Sequence, residues 1–213
     1  MIEHFCFENT TFARYGNLLN LKLVFATHNA HKLKEVQQLL PEGIELLSLG
    51  DIGCHEDIPE TGATLAENAK LKADYVTRTY GYDCFSDDTG LLVDHLGGAP
   101  GVHSARYAGN QRSDADNRAK LLAELKDVRE RTAHFKTAIH LNLAGGSHSF
   151  QGSVSGQITD REYGDGGFGY DSIFLPEGYA NTFGELSPQT KNAISHRGRA
   201  LAKLVDFIKK SAI

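Results

Sequence analysis

The stretch from Leu21 to Leu40 constrains this chain most, because it dictates a strand, a polar turn and a helix in that order. Leu23-Val-Phe-Ala26 is an apolar run of strand length, Thr27, Asn29 and Lys32 follow it, and Leu33, Val36 and Leu40 recur at helical spacing. A helix that starts directly after a strand turns its unpaired N–H groups, and the positive end of its dipole, toward whatever lies beyond the strand. That is an anion site, in which Thr27 and Asn29 donate to a phosphate and Lys32 adds a full charge. The same residues describe an ordinary helix start capped by Asn29, and the segment alone does not separate the two readings.

Composition narrows the kind of anion. A chain of 213 residues has room for one domain, or two lobes about one sheet, and 40% apolar with 23% charged residues is a globular balance. A net charge of −5 without a dense Lys/Arg cluster argues against a sequence-independent nucleic-acid binder, whereas a small anion needs only a few local positives. No run approaches the roughly 18 apolar residues of a membrane span. Cys6, Cys54 and Cys84 have no C-x-x-C spacing and fit reduced thiols in a cytoplasm. Cys54-His-Glu-Asp57 has metal-ligand residue types, but adjacent residues converge poorly on one ion. Met1 to Asn20 lack periodicity and the order of a signal peptide, so they read as an extension before a single domain at residues 21–213. Natural translation starting near Leu21 is the matching expectation.

Farther along, Gly43 to Leu49 reads as a second strand, Asp51 to Gly62 as an acidic loop, and Thr64-Leu-Ala-Glu67 as the capping-box start of a helix to about Tyr80. Tyr82 to Ser86 reads as a short strand with Asp87-Asp88 at its carboxyl end, and Leu91 to Val93 as another. Ser113 or Asp114 begins a helix to Leu125. Alternation from Phe135 to Leu143 predicts a strand, and Gly145-Gly-Ser a hairpin turn into Phe150 to Ile158. Ser187-Pro188 starts another helix, and Leu201, Leu204, Val205 and Ile208 form the stripe of the last. Strands and helices mix throughout, which is the α/β class.

Three further clusters carry chemistry. Glu60, with Asp87 and Asp88, offers oxygens that suit Mg²⁺, or a carboxylate left free to deprotonate water; two turn aspartates are the plain alternative. Gly164-Asp-Gly-Gly-Phe-Gly169 satisfies G-x-G-x-x-G, yet strand-like Tyr170 to Pro176 follows where a dinucleotide fingerprint needs a helix. The glycines read instead as a close approach to a ligand, with Phe168 or Tyr170 free to stack on a flat ring. Lys191, His196 and Arg197 gather donors near the final helix. No Walker phosphate loop and no G-x-S-x-G elbow occurs.

Thr27-x-Asn-x-x-Lys32, Glu60-Thr-Gly, Asp87-Asp-Thr-Gly90, Gly97-Gly-Ala-Pro-Gly, Ser104-Ala-Arg-Tyr, Gly167-Phe-Gly-Tyr-Asp171 and Ser195-His-Arg197 stand in one order. That series resembles the inosine triphosphate pyrophosphatase family, across about Leu21 to Ile208. The resemblance implies a long twisted mixed β-sheet with two lobes around a central nucleotide-binding cleft. It implies a cytoplasmic, Mg²⁺-dependent homodimer that converts dITP, ITP or XTP to the monophosphate and diphosphate. By motif, Thr27, His28, Asn29, Ala30, His31 and Lys32 would hold phosphates, with His28 and His31 incidental at positions the motif leaves free. Lys72 would reach the phosphate chain. Asp88 would accept the proton and also bind metal, Glu60 would be the other ligand, and Asp87 a secondary one. Thr89, Phe168, Gly169, Tyr170, Asp171, Lys191, His196 and Arg197 would hold the nucleoside. A related-fold pyrophosphatase for pyrimidine or modified nucleotides would lack Ser195-His-Arg197, and a non-catalytic nucleotide-binding protein would have lost an acid.

Overall fold

A computed structural model of the chain describes residues 21–211; the extension at residues 1–20, and the alternative start it suggests, lie outside them. The elements are β1 (Leu21–Phe25), α1 (Ala30–Leu39), β2 (Ile44–Leu47), α2 (Leu65–Tyr80), β3 (Cys84–Val93), α3 (Asp114–Glu124), β4 (Thr132–Leu143), β5 (Gly146–Ile158), β6 (Phe174–Pro176), α4 (Pro188–Ile194) and α5 (His196–Ser211). The strands form one mixed sheet in the order β2-β1-β3-β4-β5-β6. β1 runs parallel to β2 and β3, with α1 and α2 in the intervening crossovers, and β3 to β6 are antiparallel neighbours. The expected mixed α/β architecture is what the chain adopts.

Side chains alternate across β3, so its two faces meet different helices. Phe85 joins Leu21, Leu23, Phe25, Ile139 and Leu141 under Leu201, Leu204 and Ile208 of α5. On the other face Val24, Ala26 and Cys84 pack against Ala73 and Val76 of α2. A separate core at the far end of the sheet gathers Leu91, Val93, Leu121, Phe135 and Phe174. α5 lies so close to β5 that a Cβ on Gly152 would fall 2.1 Å from the His196 carbonyl oxygen, so that position requires glycine.

Two local expectations change. The short strand ending at Ser86 and the one at Leu91 to Val93 are a single ten-residue strand, because β4 pairs with it continuously from Cys84↔Asn142 to Val93↔Ala133. Asp87 and Asp88 therefore sit in mid-strand. The ligand-facing strand end is that of β1, whose pairing with β3 stops at Phe25↔Phe85, so Asp87, Asp88 and Thr89 run on past it. The β4–β5 turn also shifts by one residue: Ala144 and Gly145 are its central pair, both at positive φ, as a two-residue turn of this hand demands.

Candidate active site

Beyond the end of β1 the polypeptide turns sharply. The Thr27 hydroxyl accepts the Asn29 N–H at 3.1 Å, and Asn29 Oδ1 accepts the His31 and Lys32 N–H groups at 2.9 and 3.1 Å. The two readings of this segment are thus compatible, since Asn29 caps α1 with its oxygen while its amide nitrogen is left for another acceptor. Ala30 is the first helical residue, and His28 Nε2 meets the Glu56 carbonyl oxygen at 2.9 Å. Lys32 reaches inward to Asp87 Oδ1 at 2.8 Å.

The alternation of β3 gives its adjacent aspartates different surroundings. Asp87 faces α1 and α5, where Lys32 holds one oxygen and Arg197 Nε (3.0 Å) with the Thr89 hydroxyl (3.2 Å) holds the other. Burial opposes its ionisation, but Lys32, Arg197 and Lys72 outweigh burial and hold its carboxyl well below the usual range. Asp87 is buried with both oxygens engaged and does not line the cavity that Asp88 and Glu60 line, so in this structure it serves as a counter-ion for the cations. Asp88 faces α2. Asn68 Nδ2 donates to its Oδ2 at 3.1 Å, the Thr89 N–H donates to its Oδ1 at 3.0 Å, and Lys72 Nζ lies 3.9 Å from Oδ1. Burial pushes the Asp88 carboxyl up, and Glu60 adds to the rise against the pull of Lys72 and Lys32.

Lys72 Nζ also bonds Glu60 Oε1 at 2.5 Å and the Asp87 carbonyl oxygen at 2.8 Å. Its ammonium occupies the place where Glu60 and Asp88 approach a shared positive charge, and both carboxylates line the same cavity. Among the described residues no group of three or more His, Cys, Asp or Glu side chains forms a metal cage. Two hard carboxylates beside an open cavity fit Mg²⁺, which keeps waters and takes substrate oxygens for its other positions.

The opposite end of the cavity is aromatic and cationic. Lys191 Nζ sits 2.6 Å from both Glu35 Oε1 and Asp171 Oδ2, and Arg197 binds Glu35 Oε2 at 2.5 Å. Asp171 Oδ2 also accepts the Phe168 N–H at 2.8 Å, so the glycine-rich loop is wound around this carboxylate. Gly167 allows that winding, as its φ is +74° and a Cβ there would strike Asp171. Phe168 lies 4.9 Å from the Lys191 ammonium and 5.5 Å from the Arg197 guanidinium. Gly169 is held through its N–H by Asp114 and through its oxygen by Arg118. Tyr170 is not free to stack: it is buried, and its hydroxyl donates to the Ser104 carbonyl oxygen at 2.8 Å.

His196 and Arg197 begin α5 and do not precede it. His196 stacks on Phe135 with ring centres 4.5 Å apart, and its buried Nδ1 has no hydrogen-bond partner among the described residues. Burial, then Arg197 and Lys191, drives its pKa well below the ordinary imidazole value, so the ring is neutral at pH 7. Arg197 commits three of its five N–H groups to Asp87, Glu35 and Thr89, leaving two.

The cavity has a volume of about 340 Å³ and brings together Thr27, Lys32, Glu60, Lys72, Asp88, Phe168, Lys191, His196 and Arg197. Three partners escaped the sequence reading. Glu35 bridges Lys191 and Arg197; its spacing from Lys32, one helical turn, was the available signal. Asn68 lies one turn before Lys72 on α2 and holds both Asp88 and the Gly62 N–H. Arg106, in the quoted Ser104-Ala-Arg-Tyr motif, comes within 3.5 Å of Glu60.

The model of the Ham1 family matches residues 23–207. A dITP/XTP pyrophosphatase of Flavobacterium psychrophilum is 57% identical over 189 residues, spanning 89% of this chain and 100% of that protein. One of Bacillus subtilis is 44% identical over 185 residues, 85% of this chain and 93% of its own length. Among solved structures, the Ham1 protein of Staphylococcus aureus superposes with a TM-score of 0.81 at 36% identity, covering 89% of this chain and 98% of that one. A nucleoside-triphosphatase / dITP/XTP pyrophosphatase from Mycobacterium abscessus gives 0.71 at 44% identity, covering 87% and 99%. A match of this extent in sequence, fold and motif order leaves one conclusion: the chain belongs to the Ham1 family.

Proposed function

We propose that this chain hydrolyses non-standard purine nucleoside triphosphates, dITP or ITP and XTP or dXTP, to the monophosphate and diphosphate, clearing deaminated purines from the nucleotide pool. One observation carries the reading: a single cavity has ammonium groups and carboxylates at one end and an aromatic ring with donor-only cations at the other. That polarity matches a charged phosphate chain attached to a flat base. The Flavobacterium and Bacillus relatives, both dITP/XTP pyrophosphatases, support it.

Thr27, Lys32 and Lys72 grip the phosphates, where charge spreads over oxygens as the reaction proceeds. Asp88 accepts a proton from water. The water oxygen bonds to the α-phosphorus, the bond from that phosphorus to the bridging oxygen breaks, and diphosphate leaves with that oxygen. Attack at the α-phosphorus follows from the family resemblance. Glu60 and Asp88 would hold Mg²⁺, which when bound neutralises phosphate charge.

At the other end Phe168 stacks on the purine. Arg197 and Lys191 can only donate, so they pair with the 6-oxygen of hypoxanthine or xanthine, which accepts, and oppose the amino group of adenine. Neutral His196 contributes less to that choice, because an imidazole without charge can also accept. The resemblance also supports a homodimer working in the cytoplasm; among the described residues no helix is long and apolar enough to cross a membrane.

The deciding assay incubates the protein with Mg²⁺ and dITP, XTP, dGTP or ATP and resolves the products by anion exchange. Diphosphate and monophosphate from dITP and XTP, with ATP disfavoured on the order of 10⁴-fold, is the expected result. Chelation of the metal should stop turnover. Release of orthophosphate, or equal rates on all four, would overturn the assignment.

A further inference from the structure

We propose that His31 is a positioning residue for the base: its imidazole backs Phe168 and holds that ring toward the cavity. The inference rests on the assignment of Phe168 as the stacking residue. The two rings lie nearly parallel, 17° apart in plane with centres separated by 5.3 Å. Phe168 lines the cavity, as do Lys191 and Arg197, whereas His31 is exposed on the first turn of α1 and forms no part of the cavity wall. Inserting a base between the two rings would need them about 7 Å apart or more, at roughly 3.5 Å for each stacked contact, and they are closer than that. The base therefore takes the cavity side of Phe168, with His31 behind.

The loop explains why such backing matters. Its main chain is already tied, by the Phe168 N–H to Asp171 at 2.8 Å, the Gly169 N–H to Asp114 at 2.7 Å and the Gly169 oxygen to Arg118 at 2.8 Å. These ties leave the half-buried Phe168 side chain to be held by its ring contacts, with Lys191 and Arg197 among the cavity residues and the His31 ring outside the cavity wall. His31 is itself placed by the bond from its N–H to Asn29 Oδ1. The helix turn that carries Lys32 toward the phosphates thus also steadies the base platform across the cleft.

Steady-state kinetics on dITP with His31→Ala and His31→Phe test this. His31→Ala should raise KM about two- to tenfold with kcat unchanged, and His31→Phe should restore it. Inhibition by inorganic tripolyphosphate, which has no base, should be equal in all three proteins. An unchanged or lowered KM in His31→Ala overturns the proposal, the latter because the ring would be competing with the base. Equal weakening of tripolyphosphate overturns it too, by placing the effect on the phosphates. The chain has no tryptophan, so Phe168→Trp supplies a sole indole reporter. Adding His31→Ala should shift its emission to the red without nucleotide, and an unchanged spectrum overturns the contact. Failure of the wild-type protein to turn over dITP would instead strike the substrate assignment, while the emission comparison still decides the role of His31.

Discussion

Asp88→Asn keeps the side-chain volume and the contact with Asn68 in outline while removing the proton acceptor. Turnover of dITP should fall by about 10² to 10⁴, with nucleotide binding by calorimetry retained. Near-normal turnover would place the base elsewhere. Asn68 provides a second measurement, since its N–H stabilises the ionised form of Asp88. In Asn68→Leu the acidic limb of the kcat/KM profile should move to higher pH, because Asp88 then protonates more readily; a profile that stays in place would show that this bond does not tune the base. At this scale the sequence was most legible where chemistry is local. Thr27, Asn29, Lys32 and Asp88 fall where their motif suggests. The different surroundings of Asp87 and Asp88 were not legible, because adjacency along a strand hides opposite facing: neighbouring carboxylates look equivalent in a string of letters and are not. Glu35 went unnoticed because its partners lie 156 and 162 residues away in sequence.

At the scale of elements, helices announced themselves and strand limits did not. The capping box of α2 and the Ser113 and Ser187 caps stand as the residue order predicts, since these signals need only a few neighbouring positions. β3 was split in two because its polar middle resembles a turn, and only pairing with β4 sustains it. The seat of α5 on β5 is equally invisible in one dimension. Gly152→Ala would force its methyl group into the His196 carbonyl, displacing the start of α5 and with it His196 and Arg197. A stability loss of about 1 to 3 kcal/mol by urea denaturation is expected, together with a raised KM for dITP. A variant of wild-type stability would mean that the sheet yields at no cost.

For the molecule as a whole, acid sensitivity follows from what the cavity buries. The folded-state pKa of His196 is depressed and the unfolded imidazole titrates near about 6.5, so below that pH the unfolded chain binds the extra proton. The contribution is present above about 6.5 and is lost as pH falls toward the folded pKa. His140, also depressed by burial, acts in the same direction. Asp87 works lower down: its stabilisation holds above the usual unfolded carboxyl value of about 3.9 and is lost beneath it. Urea midpoints should therefore decline between pH 7 and about 5.5, and His196→Phe should flatten that slope while leaving the part due to His140. An unaltered slope would show that His196 is not the proton acceptor on unfolding.

The placement of two acids on opposite faces of one strand has a consequence for how this chain tolerates change. Because β3 alternates strictly and is clasped along its full length by β4, adding or deleting one residue ahead of Asp87 would move every following side chain of the strand to the opposite face. A deletion would put Asp88 among the cations and Thr89 where the base belongs, and an insertion would put Asp87 at the base's position and leave the cations without their carboxylate. A substitution along this strand alters one side chain, whereas a change of length by a single position re-aims all of them at once.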